Sequence, residues 1–125
     1  MRAAVLISAM SLALAAPAAA QPGAVKRPIL LELAQVLGES HALRQACAGP
    51  DDQFWRARMM RLVELERADP DFEGRLKGAF NQGFAGHAGS ACSEATRREE
   101  AAAAARGRAL SSRLAGTMAP GREPR

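Results

Sequence analysis

Residues 28–52, PILLELAQVLGESHALRQACAGPDD, decide the fold. Pro28 suits a first helical turn, where its missing N–H would have no intrahelical partner, and Gly49 with Pro50 stops the run. Between them Ile29, Leu30, Leu33, Val36, Leu37, Ser40, Leu43 and Cys47 fall on one arc at about 100° per residue. That is the spacing of a core-facing helix over about Pro28 to Cys47. Arg44 lies inside the same arc, where a guanidinium needs a partner. Asp51 then reads as the cap of a second helix, its carboxylate facing the free N–H groups of the first turn.

That second helix is expected over about Asp52 to Arg67, with Phe54, Trp55, Met59, Leu62, Val63 and Leu65 on its apolar side. Met59 and Met60 read as flexible core filler, and Glu66 as a residue whose head group reaches water. Asp69 followed by Pro70 repeats the start signal for a third helix to about Phe84. Its buried stripe is Phe72, Leu76, Ala79, Phe80 and Gly83 or Phe84, with Gly74, Gly78 and Asn81 opposite. Gly86 to Cys92 reads as a loop, after which Ser93 caps a fourth helix from Glu94 to about Ala115. A narrow stripe of Thr96, Ala103, Gly107, Leu110 and Leu114 lets that helix lie close on the others. The fold class is therefore all-α, a small antiparallel bundle of about four helices.

The N-terminal residues read as an address. Met1 and Arg2 give a basic start, Ala3 to Ala16 are apolar apart from Ser8 and Ser11, and Ala18 to Ala20 supply the small residues of a signal-peptidase site. Cleavage after Ala20 is expected, leaving 105 residues, one domain's worth. The organisation is then signal peptide 1–20, linker 21–27, helical domain 28–115 and disordered tail 116–125. No integral membrane segment is expected after cleavage, because the leader's apolar run is too short to span a bilayer stably.

Export places Cys47 and Cys92 in an oxidising compartment, where a pair normally forms a disulfide. The out-and-back path of the second and third helices returns Cys92 to the end where Cys47 lies. Metal ligation has little to build on: only His41 and His87 could join the cysteines, and none of the four is closely spaced to another. There is no nucleophile elbow, no Gly-rich phosphate loop and no motif for a cofactor. After cleavage 16 basic side chains face 13 acidic ones, interleaved with them, so nucleic acid is not an expected partner.

Two groups of residues gather at the disulfide end of this bundle. Positions equally distant from the turn near Gly49 face each other, which sets Arg44 level with Trp55 or Arg56. A structural clamp is expected there, Arg44 over the Trp55 indole with its donors taken by Asp51 and Asp52. His41, Gln53, Asn81 and His87 form a candidate polar site at the same end.

The set Leu37, Gly38, His41, Leu43, Arg44, Cys47, Gly49, Pro50, Asp51, Asp52, Phe54, Trp55, Arg56, Met59, Phe72, Leu76, Phe80, Asn81, Gly83 and Cys92 resembles a family of small exported proteobacterial proteins of unknown function. The resemblance covers roughly Ile29 to Leu114 and implies a signal peptide and two cysteines. It departs at Phe84 and the short Gly86–Gly89 loop, where family members tend to carry more aromatic and basic residues. The function expected is a non-enzymatic, periplasmic or secreted envelope module that binds a protein or an envelope polymer. The alternative is a small envelope enzyme using the polar residues at the disulfide end.

Overall fold

The computed structural model describes residues 22–118. The signal peptide with its cleavage point, Gln21 and residues 119–125 of the expected tail lie outside the described residues. Four helices follow one another: α1 (Pro22–Ala48), α2 (Phe54–Glu66), α3 (Pro70–His87) and α4 (Glu94–Met118). No strand occurs among the described residues, and the all-α bundle expected from periodicity is the fold.

Contacts along the helices fix their directions. Lys26 meets Glu66 at 2.7 Å and Arg44 meets Asp52 at 2.9 Å, so α2 runs back along α1. Arg27 stacks on Phe72 at 4.6 Å while His41 lies beside Phe80 and Phe84, so α3 runs in the same direction as α1. Arg106 meets Glu39 at 2.6 Å and Arg113 reaches Glu32 at 3.9 Å, so α4 is antiparallel again. Helix α1 is the axis of the bundle: it packs on all three others, whereas α2 and α3 scarcely meet. Its buried Leu30, Leu33, Ala34, Val36, Leu37 and Leu43 join Met59 of α2, Phe72, Leu76 and Phe80 of α3, and Ala103, Leu110 and Leu114 of α4.

The tightest approach is between α1 and α3, and two glycines make it. A Cβ on Gly38 would overlap the carbonyl oxygen of Phe80, and a Cβ on Gly83 that of Gln35. Each glycine thus lets the other helix's backbone in where any side chain would hold it off. Gly74 and Gly78, two and one turns earlier on α3, face open space.

Helix α2 is shorter than the periodicity reading, starting at Phe54 instead of Asp52 and ending at Glu66, and the other helices extend beyond that reading at three places. Residues 22–27, expected as linker, are the first turns of α1, and Pro28 lies inside the helix. The extension is exposed and carries no apolar stripe, so periodicity is blind to it; ion pairs of Lys26 with Glu66 and Arg27 with Asp69 hold it instead. Helix α3 continues through Gly86 to His87, and α4 continues from Ala115 to Met118, so 116–118 are helical and not tail. The start signals after α2 behave as expected. Asp69 accepts from the Phe72 N–H at 2.9 Å, a bond that lowers its carboxyl pKa, and Ser93 accepts from Thr96 at 3.1 Å.

Cys47 and Cys92 are bonded, with α-carbons 4.7 Å apart, joining the last turn of α1 to the residue before the α4 cap. Closing a loop of this size stabilises by up to ~4 kcal/mol in the chain-entropy model. Two outcomes are expected from chemical denaturation. Reduction should lower the midpoint substantially while leaving helical circular dichroism in place before unfolding. Gly83→Ala should cost about 2 kcal/mol or more by overpacking, whereas Gly78→Ala should stabilise by up to ~1 kcal/mol through helix propensity.

Candidate functional site

The polar residues expected to converge at the disulfide end separate into three places. His87 belongs to the α1–α3–α4 seam, where its ring nitrogens lie 4.0 Å from Glu39 and 3.9 Å from Glu99. Gln53 is exposed at the N-cap of α2 and its side chain makes no capping bond. His41 and Asn81 alone come together, on the opposite flank of the bundle, in a groove between α2 and α3.

The clamp forms with a different membership from the expected one. The Arg44 Nε donates to Asp52 at 2.9 Å, and the guanidinium stacks 4.5 Å from the Phe54 ring instead of the Trp55 indole. Phe54 takes that place because Asp52 Oδ1 also accepts from the Phe54 N–H at 3.1 Å, which folds the start of α2 beneath Arg44. The Arg58 guanidinium also lies over the Phe54 ring, at 3.6 Å, and Phe54 sits at the surface and not in the core. Trp55 turns to α4, its indole N–H 3.5 Å from Glu100, a carboxylate that also lies 3.9 Å from Arg44. Asp51 is exposed and does not cap; Asp52, one residue on, does that work. The backbone N–H of Phe54 and then Arg44 hold the Asp52 carboxyl below its usual range. Gln45, outside the apolar arc, closes the turn by donating to the Pro50 and Asp52 carbonyls at 2.8 and 3.1 Å.

The groove has a volume of about 550 Å³, within the range of small-ligand sites. It exists because α2 and α3 both rest on α1 yet hardly touch each other. Arg56, Met60 and Val63, spaced four and three apart, form the α2 wall above the buried Met59. Lys77, Asn81 and Phe84, again four and three apart, with Glu73 and Phe80, form the α3 wall. Met60 was expected in the core but is 65 % exposed, which leaves a flexible thioether on the rim. Leu65, also expected on the apolar side, is 63 % exposed on α2. Lys77 is neutralised by Glu73 at 2.6 Å, whereas Arg56 has no ion-pair partner among the described residues.

His41 contributes to the lining from α1. It is 5 % exposed, packed against Phe80 and Phe84 with ring centroids 5.7 and 5.4 Å away. Its Nδ1 is buried and has no hydrogen-bond partner. Burial, and then the Arg56 charge, push its pKa down, against a smaller opposing pull from Asp52. The ring is therefore neutral near pH 7 and keeps one nitrogen as an acceptor. Among the described residues no group of three or more His, Cys, Asp or Glu is placed to hold a metal ion. No described helix is long and apolar enough to cross a membrane.

A helical bundle pinned at one end by a disulfide, with an open groove on one flank, defines the class of this protein. The model of a family described as a protein of unknown function (DUF2385) matches residues 27–117, and the chain belongs to that family. No curated protein and no solved structure matches it.

His41 sets a pH dependence of stability. Its ordinary value is 6.5 and its folded value is lower, so the unfolded chain binds the proton more readily below that pH. Stability is full above pH 6.5 and declines as the pH falls from there toward the lowered folded value. His41→Phe removes both the titration and the unpaired nitrogen. In thermal melts it should stabilise by about 1 kcal/mol near neutral pH and flatten the decline below pH 6.5, leaving the acid limb of Asp52 and Asp69.

Proposed function

We propose that this protein is an exported, non-enzymatic module of the cell envelope that binds a partner protein or an envelope polymer, with the α2–α3 groove as its binding face. The observation that carries the proposal is the combination in one groove of an exposed Met60, an unpaired Arg56 and a buried His41 with an orphaned nitrogen. Of the three, only the buried, unpartnered His41 nitrogen costs the free protein stability, while the exposed Met60 and Arg56 stand open for a partner to cover. Conversely, on the opposite flank Glu39 is paired with Arg106 at 2.6 Å. Export is supported by the signal-like residues 1–20 and by a disulfide of the kind that persists in oxidising compartments. A proteobacterial envelope is the setting that the resemblance of the chain implies.

Two measurements test the proposal. Intact mass of the protein recovered from the envelope fraction should correspond to a chain beginning at Gln21; a chain beginning at Met1 would contradict export by this leader. Affinity recovery from the same fraction should yield one envelope component with the wild type and lose it with Met60→Glu. Met60 is exposed, so the substitution leaves folding intact, and equal recovery by both proteins would remove the groove from the binding face.

A further inference from the structure

We propose that the floor of the α2–α3 groove is a site for a free medium-chain carboxylate, its head group on Arg56 and its chain laid between Met60, Val63 and Phe80. The inference rests on the groove being the binding face and goes further by naming the chemistry that the face selects. Polarity along the groove is uneven. Helices α2 and α3 run in opposite directions, so Arg56 and Phe84 fall toward the disulfide end and Val63 and Glu73 toward the other. Asn81 and His41 also line the groove, and the apolar Met59, Met60 and Val63 follow Arg56 along α2.

Charge decides the sign of the ligand. Lys77 is occupied by Glu73, so the uncompensated charge of the lining is that of Arg56, and an anion is the complement. His41 adds no charge of either sign to the lining, because burial beside Phe80 and Phe84 keeps its ring neutral near pH 7. Length decides the chain. From Arg56 to Val63 the groove follows two turns of α2, roughly 10 Å at 1.5 Å per residue, which suits a medium-length acyl chain and is short for a long one. The groove's volume of about 550 Å³ admits a ligand of that size with room to spare. A carboxylate at one end and an apolar chain of this length satisfy the charge and length constraints together.

Calorimetric titration of the disulfide-intact protein with decanoate, decanol and decyltrimethylammonium tests the proposal. Decanoate should bind with one-to-one stoichiometry, at least tenfold more tightly than either of the other two, and move backbone amide resonances of α2 and α3. Arg56→Gln should weaken it about tenfold while decanol is unaffected, and Met60→Glu should abolish it. Both positions are exposed, so the melting transition of each variant should match the wild type. Equal affinity for the cationic amphiphile, or an unchanged decanoate affinity in Arg56→Gln, would overturn the carboxylate site. If decanoate fails to bind while Met60→Glu still loses the envelope component, the ligand class is wrong and the groove stands as the binding face. If decanoate binds as proposed but Met60→Glu retains the component, the carboxylate site stands and that component binds elsewhere.

Discussion

The close crossing of α1 and α3 at Gly38 and Gly83 is the constraint on which the rest of the molecule depends. Backbone meets backbone there, because each glycine faces a carbonyl of the other helix at a separation that excludes a Cβ. Two consequences follow for the remaining elements. Helix α4 covers the other side of α1 through Ala103, Leu110 and Leu114, and a Cβ on Gly107 would stand in ordinary van der Waals contact with Val36 and Leu33. Helix α2, only 13 residues long, rests on α1 through Met59 with little support from α3, and the space between α2 and α3 is left open as the groove. The candidate site is thus a by-product of unequal helix spacing: tight where glycines allow it, open where side chains hold α2 away.

The disulfide end shows a second asymmetry. Asp52 receives the Phe54 N–H and the Arg44 guanidinium, Arg44 and Arg58 both lie over Phe54, and Glu100 on α4 draws in Trp55. These groups surround the turn between α1 and α2 and are half-exposed, so each contact is individually modest. Their effect is geometric. They fix where α2 begins, and with it the position of Arg56 two residues further on. Clamp and groove are linked through the first turn of α2, although neither needs the other's side chains.

Much of the fold can be read from residue type and spacing because its causes are local. The arc from Ile29 to Leu43, the Asp69–Pro70 start and the Ser93 cap each declare themselves within one or two turns, and the structure contains all three, while Cys47, expected at the end of that arc, is exposed. What cannot be read depends on partners distant in sequence. Gly38 and Gly83 look no different from Gly74 and Gly78 to any propensity scale, yet only the first pair touches another backbone. The first turns of α1 are held by Glu66 and Asp69 some forty residues away, so no nearby apolar stripe announces them. His41 and Asn81 share a groove while His87 faces the seam with α4 and Gln53 stays exposed at the start of α2, a distribution set by how the helices face one another and not by sequence spacing. A signal for the groove was nevertheless present: Arg56, Met60 and Val63 repeat at helical spacing on a face of α2 beside the buried Met59.

Native-state hydrogen exchange of the disulfide-intact protein tests the central claim, that the glycine crossing carries the stability of the bundle and leaves α2 as its loosest member. Amides of α1 and α3 around Gly38 and Gly83 should exchange only through global unfolding, while those of α2 exchange through a local opening of lower free energy. Protection of α2 equal to that of the crossing, or loss of protection at the crossing before α2, would contradict the account.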